Sequence, residues 1–306
     1  MSWIVEQSEN TCAVNVNGDT ITCQSNSGYG SPINVMFKDP ADKNGQYFWQ
    51  IDIKDLDEKS CGIISVGLTT DQGFKDGWGL KAMKYLGNLS DGSGLLVQSF
   101  GNQIKKNDKV EILLQLNEKD LKMYLFHNDR PLGLAFHIQS PYPKPLYPVV
   151  SFEANGQVKI SRSQQIPSRL NRTGLQYNGV EGHWKIVDYP QHPECDGCQL
   201  EIKVQDDDNK NIYHIHARVV NSLNCGLEYN SSSNQWKSSH VMSTKMLGPP
   251  EEMKREDAVS SLISSIQNLE VQGQEQLSIR TNNGEQIRLE RFEKSAPSAV
   301  TQNIFN

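Results

Sequence analysis

Apolar and polar side chains alternate along residues 47–54, where Tyr47, Trp49, Ile51 and Ile53 interleave with Phe48, Gln50, Asp52 and Lys54. Successive side chains of an extended strand point to opposite faces, so this period of two puts the first set together on one face. A helix would scatter the same residues around its circumference. Further short strands are predicted at 63–68, 110–116, 121–127 and 147–152, and no helical stripe of useful length precedes residue 165. Between them lie turn clusters such as Asn128-Asp129-Arg130-Pro131 and Asn155-Gly156. Asn17-Gly18-Asp19, flanked by Val14-Asn15-Val16 and Thr20-Ile21-Thr22, is a hairpin signal because Asn-Gly tolerates the positive φ of a tight turn. Many short strands with frequent turns predict an antiparallel β-sandwich for this half.

The chain continues well past such a sandwich. Its 306 residues suit two domains at roughly 100–200 residues each. The run 164–182 is polar and aperiodic, with Pro167, Gly174, Gly179 and Gly182, and reads as a linker. A second domain, 183–293, opens on His183-Trp184-Lys185-Ile186-Val187 and continues with the alternating Leu200, Ile202 and Val204. In its next strand Tyr213, Ile215, Ala217 and Val219 share one face, and His214, His216 and Arg218 the other. Its one clear helix starts at Gly248-Pro249-Pro250-Glu251-Glu252, where proline presets φ and the glutamates face the positive end of the helix dipole. Val259, Leu262, Ile263, Ile266 and Leu269 form the buried stripe of that helix. A hairpin across Asn282-Asn283-Gly284 follows, and the polar tail 294–306 is expected to be mobile.

Charge and termini narrow the function classes. With 30 Lys+Arg against 36 Asp+Glu, the net charge of −6 offers no general basic surface for nucleic acid or anionic membrane. No stretch approaches the roughly 20 apolar residues of a membrane span. Met1-Ser2-Trp3-Ile4-Val5 has neither a basic nor an apolar leader region, and six cysteines are too few for a disulfide scaffold of this length. These features predict a cytoplasmic protein with mostly reduced thiols.

Blocks spread over residues 1–163 resemble a SPRY domain: Tyr47-Phe48-Trp49-Gln50-Ile51, Gly62-Ile63-Ile64-Ser65-Val66-Gly67-Leu68, Gly77-Trp78-Gly79-Leu80, the run from Phe126 to Phe136, and Pro145 to Phe152. That resemblance implies a bent sandwich whose variable loops meet a peptide or protein, without catalysis. Residues 183–293 resemble a META/HslJ-like domain, most specifically at Met242-Ser243-Thr244-Lys245-Met246-Leu247-Gly248-Pro249-Pro250-Glu251-Glu252-Met253. This stretch is closer to the version found in kinetoplastid protists than to the bacterial one. The fold class expected is therefore mainly β: a SPRY-like antiparallel sandwich followed by an α+β domain with an antiparallel sheet and one main helix.

Several constellations invite chemistry. Cys195-Asp196-Gly197-Cys198 and the pair His214 and His216 are the right ligand types for zinc, but no second CxxC is present. As a redox pair the CxxC lacks the strand-to-helix setting that lowers a thiol pKa. Cys61, in an apparent strand, and Cys225, at a turn, sit in no nucleophile elbow. Asp206-Asp207-Asp208 lacks the glycine and distal glutamate of an EF-hand loop. No catalytic residue, metal or cofactor is assigned. Trp78, flanked by glycines, is expected to fill the sandwich core. The candidate binding residues are the polar and aromatic loop positions Tyr29, Lys75, Asp76, Lys84, Tyr85, Asn128, Asp129 and Arg130, because loops on a rigid scaffold carry recognition and aromatics and arginine supply most hot spots.

The expected function is a non-enzymatic adaptor whose first domain binds a protein partner and whose second adds a contact module. The alternative is a structural subunit of a cytoskeletal, ciliary or flagellar assembly in a protist. A metal-binding or thiol-dependent enzyme using Cys195, Cys198, His214 and His216 is the third reading.

Overall fold

The computed structural model describes residues 3–5, 12–25, 32–57, 63–75, 77–92, 94–163, 166, 179–205, 211–273, 275–297, 301 and 303–305. Among these, two antiparallel sheets build the N-terminal half. One has the order β1 (Trp3–Val5), β4 (Ile33–Phe37), β13 (Tyr147–Phe152), β6 (Ile64–Thr69), β7 (Ala82–Tyr85), β8 (Leu89–Ser90) and β9 (Leu95–Val97). The other has the order β12 (Arg130–Gln139), β11 (Asp120–His127), β10 (Lys109–Leu116), β5 (Gly45–Leu56), β14 (Gly156–Ser163), β3 (Thr20–Ser25) and β2 (Cys12–Asn17).

The alternating residues Tyr47, Trp49, Ile51 and Ile53 lie on the inner face of β5 and join one core with Val35, Phe37, Val66 and Leu68 from the facing sheet. Phe48 points the other way into a small cluster with Leu113 and Phe126. The β11–β12 hairpin closes on Asn128 and Asp129, whose φ values of 52° and 64° are those of the two-residue turn that matches strand twist.

The second unit spans Gln176–Glu293. Its sheet has the order β19 (Gln235–Ser238), β18 (Ser222–Asn230), β17 (Ile212–Arg218), β16 (Gln199–Val204), β15 (Gly182–Asp188), β23 (Gln286–Arg291), β22 (Gln276–Thr281) and β21 (Ile266–Gln272), with the short β20 (Met242–Ser243) also paired to β18. The main helix α1 (Pro250–Ser264) buries Ala258, Val259, Leu262 and Ile263 against this sheet. No described helix is long and apolar enough to cross a membrane.

Two expectations differ from the structure. The helical stripe was extended through Ile266 and Leu269, but α1 ends at Ser264 and those residues are buried positions of β21. The cause is local: the Ser264 and Ser265 hydroxyls both donate back to the Ser261 carbonyl, at 2.9 and 2.7 Å, which offers the chain an alternative to another helical turn. The tail beyond Lys294 belongs with the first unit, where Ala296 and Ile304 are buried in the sandwich core. The Ala296 N–H donates to the Ala135 carbonyl at 2.9 Å and the Thr301 hydroxyl to the His137 carbonyl at 3.0 Å. The tail thus covers backbone of β12, a strand at the end of its sheet that would otherwise offer a free ladder.

Candidate functional site

The described residues between Thr70 and Lys81, which join β6 to β7, have more internal order than a solvated loop. The Thr70 hydroxyl accepts from the Gly73 N–H at 2.9 Å, the Phe74 N–H donates to the Thr70 carbonyl at 2.9 Å, and the Thr69 hydroxyl donates to the Lys81 carbonyl at 2.7 Å. From beneath, the fully buried Asn34 amide donates to the carbonyls of Lys75 and Gly77 at 2.7 and 2.8 Å. The side chains that fill the adjacent core are Phe74 and Leu80, packed with Met36, Ala82 and Val149.

Trp78 is therefore left outside. It lies on the short 3₁₀ turn Gly77–Gly79 and is 63 % exposed, which corrects its assignment to the core. Phe74 and Leu80 already occupy the inward places on either side, and the turn between them directs the indole to solvent. The neighbouring Asp91–Gly94 turn presses on the same backbone, since a Cβ on Gly92 would stand 2.0 Å from the Leu80 carbonyl oxygen. Leu95, which follows that turn, is also exposed.

The other candidate residues divide sharply. Tyr29 and Asp76 lie outside the described residues. Lys75 is exposed beside Trp78. Lys84 and Tyr85 were expected in a loop, but both are buried residues of β7. Burial holds the Lys84 ammonium below its usual value against the attraction of Glu153, whose own carboxyl burial pushes up. The Tyr85 hydroxyl stands 2.8 Å from the Asn102 carbonyl and 2.9 Å from His127 Nδ1. One hydroxyl hydrogen serves only one of these contacts, so the other takes its hydrogen from the imidazole. His127 Nε2 then meets Asp108 at 2.9 Å, and Asp108 accepts from Asn128 at 2.8 Å.

This chain links Tyr85 to the β11–β12 turn, but its chemistry is structural. Burial, reinforced by Asp108, pushes the phenol well above its ordinary value, opposite to what an acid or nucleophile near neutrality needs. Asn128 and Asp129 are exposed and supply the positive φ of the hairpin, and Asp129 pairs with Lys109 at 2.6 Å. Arg130 is exposed at the start of β12.

In the second unit the sequence motif at 242–253 forms an ordered strap leading into α1. Asn221, nearly fully buried, donates from Nδ2 to the Met246 carbonyl at 3.0 Å, and its Oδ1 accepts from the Met246 N–H at 2.7 Å and the Thr244 hydroxyl at 2.9 Å. Behind it, the buried Glu256 carboxylate of α1 accepts from the Val220 N–H at 3.0 Å, the Asn221 N–H at 2.5 Å and Asn221 Nδ2 at 2.8 Å. Met242, Met246 and Leu247 stay exposed on this strap, a feature missed by periodicity because they follow neither a strand nor a helix pattern.

The CxxC and the two histidines occupy separate elements of the second unit, the cysteines around the short turn Pro193–Cys195 and the histidines on β17. Cys195 lies in the core of the unit, where burial above all pushes its thiol up to about 12; burial also raises Cys198. His214 and His216 pair with Gly226 and Asn224 of β18, and burial lowers the His214 pKa. Among the described residues no three His, Cys, Asp or Glu side chains converge on a cation position. Cys61 and Asp206 to Asp208 lie outside the described residues.

Comparison with known proteins places a META domain on residues 176–295, which match the model of that family. Solved structures with a similar fold include the SPRY domain of human HERC1, at 20 % identity over 51 % of this chain and 94 % of that one, with a TM-score of 0.40. The TRIM65 PSpry domain is 11 % identical over 51 % of this chain and 87 % of that one, TM-score 0.32. A protein from Burkholderia xenovorans is 14 % identical over 42 % of this chain and all of its own length, TM-score 0.27. No curated protein matches the sequence.

Proposed function

We propose that this chain is a non-enzymatic interaction protein, an adaptor whose N-terminal sandwich binds a protein or peptide partner at the Trp78 loop and whose META domain supplies a second contact. One observation carries the reading. A tryptophan is held 63 % exposed on a loop pinned by a buried asparagine and anchored on both sides by buried apolar residues. Large aromatics dominate the energetics of protein interfaces, and a contact that is rigid beforehand loses little conformational entropy on binding. Lys75, three residues before the indole, is exposed on the same loop and adds a cation to it.

The polar groups in the sandwich support the same reading from the other side. Tyr85, His127, Asp108 and Asn128 hydrogen-bond to one another and to neighbouring backbone of the sandwich. Two modest contacts on one chain gain avidity through effective concentration, so neither surface has to be large.

Amine-reactive crosslinking with mass spectrometry in the source cell tests this. Lys75 is expected to crosslink recurrently to one protein, and that product to disappear in Trp78→Ala. Crosslinks from Lys75 that are scattered, or that persist unchanged in the variant, would remove the Trp78 loop from the account.

A further inference from the structure

The strap of the second unit carries an apolar surface whose rigidity is out of proportion to anything it does inside the fold. Leu247 is 99 % exposed, Met242 65 % and Met246 50 %, on a segment tied to the buried Asn221 amide through the Thr244 hydroxyl and the Met246 backbone. Its far end is tight as well: a Cβ on Gly248 would stand 2.7 Å from a Val220 methyl, so the strap lies directly on the turn that Glu256 holds. Beside these residues runs a groove of about 580 Å³, to which Val241 and the half-buried Met253 contribute further apolar surface.

The charge around the groove selects the occupant. Its acidic lining residue, Glu256, is consumed by three donors from Val220 and Asn221. The remaining ionisable side chains on the lining are Lys245 and His240, both exposed and neither in an ion pair with a described residue. A surface of three methionines and a leucine adapts to apolar side chains of different shape, because the thioether chain is flexible and polarisable. The flanking Lys245 ammonium favours carboxylates at the edge of whatever lies on it, and the His240 imidazole can donate a hydrogen bond to one.

We infer that the groove along residues 240–247 binds an acidic amphipathic segment of a partner protein, with apolar side chains one helical turn apart lying on Met242, Met246 and Leu247 and carboxylates facing Lys245 and His240. This deepens the second-contact part of the proposed function and rests on it; it does not depend on Trp78.

The test uses the full chain with ¹³C-labelled methionine methyl groups. The probe is a synthetic peptide of about three helical turns with leucines spaced one turn apart and flanked by glutamates. Saturable shifts of the Met242 and Met246 methyl signals are expected. The affinity should fall about five-fold in Lys245→Glu and disappear in Leu247→Asp, a fully exposed position whose change leaves the melting temperature in place. Trp78→Ala should bind the peptide as the wild type does, so loss of the Trp78 reading and loss of this one are separable. The inference is overturned if the peptide causes no shift. It is equally overturned if a lysine-flanked peptide with the same leucines binds as well, or if the methyl signals move with protein concentration alone, which would mean a second copy. Binding to phosphatidylserine vesicles in place of the peptide would also overturn it.

Discussion

Asn34 under the Trp78 loop and Glu256 under the strap hold exposed apolar side chains in place by different chemistry. Asn34 is a neutral amide that ties down two carbonyls of one loop, while Phe74 and Leu80 hold the same loop by burial. Glu256 is a carboxylate that satisfies three N–H donors around Asn221, and the strap itself sends no large apolar side chain of residues 242–247 into the core. The first display is therefore redundant, part polar and part apolar. The second rests on the buried Glu256–Asn221 cluster and on the pairing of β20 with β18, with no buried apolar anchor of its own.

The largest effect expected from that difference is at Glu256. Glu256→Ala removes the acceptor of two backbone N–H groups and of one Asn221 Nδ2 hydrogen, and should cost the second unit about 3–5 kcal/mol in urea unfolding. A loss below about 1 kcal/mol would show that the strap is held by something else. Asn34→Ala should cost the first unit less, about 1–2 kcal/mol, because Phe74 and Leu80 stay in place. Hydrogen exchange at residues 75–79 should rise in that variant while the flanking strands stay protected.

Acid is expected to act on the first unit through Asp108. Hydrogen bonds from Asn128, the Lys105 N–H and His127, with the attraction of His127, outweigh burial and hold the Asp108 carboxyl below its ordinary value. A carboxyl depressed on folding adds stability that is complete above its unfolded pKa and lost as pH falls through the folded one. Between about pH 6 and about pH 3, the wild-type first unit should therefore lose more stability than Asp108→Asn. Equal losses would assign its acid sensitivity to other groups.

The smallest stability effect belongs to the residue given the largest functional role. Trp78→Ala should change the unfolding free energy by no more than about 0.5 kcal/mol, since the indole is mostly in water. Phe74→Ala, four residues earlier and buried, should cost about 3–5 kcal/mol. A large loss in Trp78→Ala would return the indole to the core.

Strand content was legible because the inward residues of β5, β10 and β11 keep a period of two over several positions, and the same arithmetic found the buried face of α1. It failed where two periods fit one stretch: Ile266 and Leu269 satisfy a helix and a strand alike, and the serine hydroxyls decide between them. The site was harder to read. Trp78 carries no signal of its exposure, because what excludes it from the core is that Phe74 and Leu80 arrive there first. Lys84 and Tyr85 read as loop residues because the strand that contains them is short and its neighbour across the sheet, β6, is close in space, with β8 following. Asn128 and Asp129 were correctly placed at a turn, and the positive φ at both gives them a structural role besides exposure. The tail's burial was invisible, since Ala296 and Ile304 are isolated apolar positions in a polar run.

The most direct test of the central claim is a paired affinity purification from the source cell, with wild-type and Trp78→Ala full-length chains as bait and their melting temperatures measured alongside. A protein retained stoichiometrically by the wild type and lost from the variant, with the two melting temperatures matching, is the predicted result. The same protein retained by both baits would contradict the account.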